Sequence, residues 1–89
     1  MENGIIKSWS FKINDFDKLE LSIEISGAGW GVVASFHTLE DIEKIFNVLE
    51  ITDSKQLKGS YCRAEFVDYN LLKTIYNIID DKKYYTVRQ

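Results

Sequence analysis

Residues 19–38, LELSIEISGAGWGVVASFHT, decide the fold. The first seven alternate without a break. Leu19, Leu21, Ile23 and Ile25 lie on one side, with Glu20, Ser22 and Glu24 on the other. That is the period of a half-buried β-strand. Residues 30–36, WGVVASF, are short, apolar and rich in β-branched and aromatic side chains, and read as another strand. Between the two, glycines at 27, 29 and 31 surround Trp30. A phosphate-binding loop needs a strand before it and a helix directly after it, so that backbone N–H groups and the helix dipole converge on the anion. Here a strand-like run follows, no Lys-Ser or Lys-Thr pair succeeds the glycines, and helical spacing begins only at Thr38. The glycines therefore predict a tight corner or bulge, with Gly27 and Gly29 free to take positive φ.

Upstream, residues 5–13 (IIKSWSFKI) also alternate, with Ile5, Lys7, Trp9, Phe11 and Ile13 against Ile6, Ser8, Ser10 and Lys12. The cluster NDFD at 14–17 reads as a turn joining the first two strands into a hairpin. Downstream the period changes. Over residues 38–51, Leu39, Ile42, Ile45, Phe46 and Leu49 fall on one helical face, and Glu40, Glu43, Lys44 and Asn47 on the other. Thr38 is placed to cap that helix, with Asp41 three residues on, and Glu40 and Asp41 suit its positive end.

The segment 52–59 (TDSKQLKG) predicts a short helical turn ending at Gly59. Residues 60–67 (SYCRAEFV) alternate as a strand that buries Cys62, Ala64 and Phe66. Residues 70–80 (NLLKTIYNIID) fit both periods; β-branched and aromatic content together with flanking turn signals favours a strand. A last strand at 84–88 then pairs back across the turn at 80–83. The expected architecture is one α+β domain over residues 1–89. Five or six strands form a mostly antiparallel sheet, in the order βββα then ββ(β), and the helix packs on Leu21, Ile23 and Ile25.

Composition narrows the function. Of 89 residues 45% are hydrophobic and 13% aromatic, which supports a packed core rather than a disordered chain. The net charge is −3, and only Lys82 and Lys83 adjoin among 11 Lys and Arg, so the clustered basic stripe of a nucleic-acid binder is missing. No apolar run reaches the roughly 20 residues of a membrane helix. The opening residues do not read as a signal peptide, and with a single cysteine a reducing cytoplasm is the expected compartment.

His37 and Cys62 are the sole residues of their kinds. They match neither a metal-ligand set nor a nucleophile–base motif, so no cofactor, no metal and no enzymatic activity is expected. Trp30, on a glycine-flanked loop, is a candidate exposed anchor, with packing into the core as the competing reading. Glu40 and Glu43 on the polar helix face suit docking to a Lys/Arg-rich partner, as do Glu20, Glu24, Asp41 and Glu50. Tyr69, Tyr76, Tyr84 and Tyr85, with Tyr61 and Phe66, are candidates for an apolar contact patch for a target or a second copy.

The order of these pieces carries a resemblance. A Gly- and aromatic-rich strand leads to an amphipathic helix ending NVLEITDSKQLKG, then SYCRAEF and a late IIDDKKYYTV. The chain resembles a group of small phage and prophage proteins of unassigned activity, which join a Gly-aromatic strand to a helix and then pass through an LKG turn into a strand and terminal hairpin. It departs from them in that Lys55 or Gln56 stands where they carry an aromatic, and in its shorter segment between Gly31 and Thr38. The resemblance implies a phage or mobile-element accessory protein. Such proteins often block a host protein, host-defence nucleases included, in the manner of anti-CRISPR proteins. The expected function is therefore non-catalytic binding of a host protein with a basic surface. The competing expectations are a self-associating domain that forms a homodimer, and a protein that sequesters a small ligand such as a nucleotide.

Overall fold

The computed structural model describes residues 1–13, 18–68 and 71–87. Six strands and one α-helix follow one another as β1 (Glu2–Ile13), β2 (Leu19–Gly27), β3 (Trp30–Phe36), α1 (Leu39–Leu49), β4 (Tyr61–Asp68), β5 (Leu71–Asn77) and β6 (Tyr84–Thr86). A 3-10 turn at Ser54–Gln56 lies between α1 and β4. The strands make one curled antiparallel sheet in the order β3-β2-β1-β4-β5-β6, so the chain is α+β as its patterns predict. Two three-stranded meanders, β1–β3 and β4–β6, join side by side along β1 and β4. The proposed turn at 14–17 lies outside the described residues.

The concave face holds a single core. Leu21, Ile23 and Ile25 of β2, Ala34 and Phe36 of β3, and Cys62 and Ala64 of β4 meet Ile75 of β5, Tyr85 of β6, and Ile42, Ile45 and Val48 of α1. Thr38 caps α1: it is extended at φ −125, and its Oγ1 accepts from the Asp41 N–H at 3.1 Å. The buried stripe runs through Asp41, Ile42, Ile45 and Val48. Leu39, expected inside, is 72% exposed, because at the first helical position it precedes the turn that meets the sheet. The helix lies chiefly over β5 and β6, while β2 contributes to the same core from the far side of the curl.

Strand β1 corrects the simple alternation. Ile6 pairs with Ile25 and Ser8 with Glu24, leaving Lys7 as one extra residue. The bulge reverses the phase. Ile6 is buried and Ile5 is not, whereas Trp9, on the other phase in the sequence, packs on the same core. At the break, Ile6 bonds to the chain leading into β4, donating to Ser60 O at 2.9 Å and accepting from Gly59 N at 2.8 Å. The LKG turn thus seats β1, and Leu57 within it is fully buried.

Candidate interaction surface

The glycines around Trp30 do two different jobs. Gly27 pairs with Trp30, so Ala28 and Gly29 form a two-residue hairpin loop, and Gly29 supplies the positive φ, 79°. Gly27 is needed for space: a Cβ there would lie 2.4 Å from the Trp30 ring and 2.5 Å from the Asn3 carbonyl oxygen. Gly4 is needed for the same reason, with a Cβ 2.8 Å from Trp30 Cη2. The indole therefore crosses Gly27 of β2 and Gly4 of β1 to meet Phe66 of β4 edge-on, ring centres 5.2 Å apart. Trp30 closes one end of the curled sheet. It is partly buried core and not the free anchor its glycine neighbours suggest. The loop is a corner with a platform for an indole.

Phe36, at the other end of β3, packs on Tyr85 of β6 at 5.2 Å. These rings touch across a seam where the first and last strands of the sheet face each other without pairing. Outside the ring pair the seam widens into a groove of about 900 Å³. One wall is the free edge of β3 from Gly31 to Ser35, and the other is Leu71, Leu72, Tyr85 and Val87. His37, Thr38, Glu40 and Asp41 line it at the start of α1. Among the described residues its lining includes the exposed Glu40 and the buried Asp41, and neither lysine nor arginine. Glu40 is exposed and lies 3.3 Å from Lys44 one turn on, an open pair of the kind that contributes little.

The predicted tyrosines separate. Tyr76 and Tyr84 sit together on the convex face, centres 5.9 Å apart, and the Tyr76 hydroxyl donates to Glu65 Oε1 at 3.3 Å. Desolvation first, and then the Glu65 carboxylate, hold the Tyr76 phenol above its usual pKa. Tyr85 points the other way and is buried against Phe36, so it belongs to the core and the groove wall and not to the convex pair. Tyr69 lies outside the described residues. Glu43 is exposed on α1. The depressions beside Tyr84 are lined by Lys44, Lys82 and Lys83 as well as Asp41, so the expected union of tyrosines with acids does not form there. Apolar walls and carboxylates come together in the groove instead.

Comparison with family models, curated proteins and solved structures finds no match. What the site can do must therefore come from its geometry. Cys62 is buried in the core, which pushes its thiol up to about 11, while His37 is exposed at the groove; the two are not brought together as a reactive pair. Among the described residues no cluster of three or more His, Cys, Asp or Glu is placed to hold a metal ion. No helix among them is long and apolar enough to cross a membrane.

The groove residues Val33, Leu71 and Val87 were not singled out by sequence reasoning. One signal was available: residues 30–36 contain no charged side chain and no proline. Those are the devices by which exposed edge strands are usually protected.

Proposed function

We propose that this chain is a non-catalytic protein-binding module that holds a partner presenting lysine or arginine beside apolar side chains. The carrying observation is the groove along β3, which joins apolar walls to the exposed Glu40 at the start of α1. A hydrophobic slot with a carboxylate end both steers a basic partner and retains it. The resemblance to small phage and prophage proteins gives the biological form of this reading: a phage or mobile-element protein that acts in the host cytoplasm by occupying a host protein, with defence proteins among the targets. The nucleotide-sequestering alternative is less well supported, because among the described residues the groove offers a phosphate the Glu40 carboxylate and no lysine or arginine.

The test is affinity capture from several bacterial lysates, followed by titration of each captured protein, purified, against the chain. A saturable one-to-one complex that weakens as salt rises is expected, since partly exposed charge pairs are screened. Absence of any saturable partner would overturn the reading.

A further inference from the structure

The seam between β3 and β6 has the form of a missing strand. In a two-residue hairpin the residues flanking the loop form a hydrogen-bonded pair, here Gly27 with Trp30. Hydrogen-bonded and non-hydrogen-bonded pairs alternate along an antiparallel ladder. Ile25–Val32 and Ile23–Ala34 are therefore bonded pairs, while Ser26–Gly31, Glu24–Val33 and Ser22–Ser35 are not. The Ser22 and Ser35 hydroxyl oxygens lie 3.5 Å apart, as the closer spacing of a non-bonded pair requires. It follows that the N–H and C=O groups of Gly31, Val33 and Ser35 face away from β2. No strand among the described residues pairs with them.

An edge of this kind is a template for another strand, and β3 is poorly defended. It runs seven residues with unbroken register against β2 and bears neither charge nor proline, and its Val33 is 65% exposed. The opposite edge is defended: β6 is only three residues long and follows Asp80, Asp81, Lys82 and Lys83. One added strand would hold two edges about 10 Å apart, twice the usual spacing between strands. Aromatic rings reaching across from both sides, as Phe36 and Tyr85 do, suit a span of that size.

We infer that this groove binds an extended segment of a partner protein as a seventh strand, antiparallel to β3, with alternate apolar side chains facing the groove and a lysine or arginine near its N-terminal end. This rests on the protein-binding reading above and gives it a mode. The register follows from the geometry. Partner residues opposite Val32 and Ala34 turn inward beside Leu72, Tyr85 and Val87, so they are apolar. Those opposite Gly31, Val33 and Ser35 exchange backbone bonds, and their side chains lie on the convex face, where many types are accepted. An antiparallel strand begins beside Phe36, next to the exposed Glu40, which places its basic residue at that end.

The experiment starts from a random dodecapeptide library displayed on phage, selected against the full chain. The most enriched peptide is then synthesised and titrated by fluorescence polarisation. The variant Val33→Pro removes one outward N–H and leaves the bonds to β2 in place, since proline is accepted on an edge strand whose N–H faces solvent. Enrichment of alternating apolar peptides with a basic N-terminal half is expected. Val33→Pro should weaken the best peptide about tenfold, and Val33→Thr by no more than about threefold. Glu40→Lys should weaken it as well.

Amide exchange on the wild-type chain provides a check that does not depend on the variant folding. The amides of Gly31, Val33 and Ser35 should become protected when peptide binds. If a selected peptide leaves those amides unprotected, or binds Val33→Pro as tightly as wild type, the strand mode is wrong although the chain still binds proteins. Failure to enrich any peptide overturns the inference too. If such a chain forms a dimer that Val33→Pro dissociates, the edge belongs to a second copy; if it stays monomeric, the edge has no strand partner.

Discussion

The two meanders that meet along β1 and β4 keep their registers by different means. In the first, β2 and β3 pair without a shift from Leu21–Phe36 to Gly27–Trp30, and Leu21, Ile23 and Ile25 are buried at every second position. Side-chain burial and the two-residue loop at Ala28 and Gly29 fix that ladder, because a one-residue slip would turn three core residues to solvent. In the second, β4 and β5 shift twice, passing over Lys73 and then Val67. Burial there cannot specify the pairing by alternation. A side-chain amide takes over: Asn77, at the end of β5, is buried and donates to Val48 O on α1 at 2.7 Å. Its Oδ1 accepts from the backbone N–H groups of Ile79 and Asp80, both at 2.9 Å. One asparagine ties β5, its outgoing turn and the end of the helix. A regular apolar period makes a strand both readable and self-registering, whereas the twice-shifted β4–β5 pairing is tied by a polar side chain.

The largest test of this contrast is Ile23→Ala. Ile23 is fully buried at the centre of β2, and its truncation should cost ~2–5 kcal/mol in urea unfolding. Both tryptophans, Trp9 and Trp30, belong to the first meander, whereas α1 lies over the second. Tryptophan fluorescence thus follows one half, and far-UV circular dichroism carries the helix signal of the other. Because one core joins the halves, the two signals should move to lower urea together. Separate midpoints would mean that the meanders unfold independently.

Asn77→Ala attacks the second means. It removes three hydrogen bonds and leaves the buried Val48 carbonyl without that partner, at an expected cost of about 2–3 kcal/mol. Amide exchange should quicken first at Ile79, Asp80 and β6, before it does in β2 and β3. Equal loosening of both meanders would remove the special role given to this side chain.

The same contrast explains what could be read from the sequence. Leu19–Ile25 was legible because every inward position is apolar and its pairing with β3 is regular. The alternation of Cys62, Ala64 and Phe66 gave β4, and the 3.6-residue spacing of Ile42, Ile45 and Leu49 gave α1. β5 was ambiguous between helix and strand for a physical reason: Leu72, Thr74, Ile75 and Asn77 are all buried, so neither period fits. β1 was found as a strand but with its faces reversed at the start, since no residue type announces the bulge at Lys7. Of the candidate site, Glu40 and Asp41 were visible as charges, yet the groove they end was not. It exists only because a six-stranded sheet curls until β3 faces β6, and that is a property of the whole chain. Tyr84 and Tyr85 could not be told apart in the sequence, although as neighbours on one strand they lie on opposite faces.

Gly27→Ala probes the first meander at its tightest point. The added Cβ would meet the indole of Trp30 and, less forgivingly, the backbone carbonyl of Asn3. Overpacking of this kind should cost ~1–3 kcal/mol. It should also move Trp30 off Phe66, which a red shift in fluorescence emission would report. An unshifted spectrum with unchanged stability would mean that the glycine serves no such purpose.

The smallest expected effect has the opposite sign. Glu50 ends α1 in the left-handed region at φ 57, the position where glycine is usual, while Ile51 N–H bonds Phe46 O at 3.0 Å to close the helix. Glu50→Gly should relieve the strain and stabilise the fold by ~0.5–1 kcal/mol, although it gives up the exposed pair with Lys83. Raising the salt concentration separates the two contributions, because screening weakens the ion pair and leaves backbone strain untouched. The gain of Glu50→Gly over wild type should then grow with salt. If it falls instead, the Lys83 contact is not what the substitution gave up, and the tie between the helix end and the second meander rests on Asn77 alone.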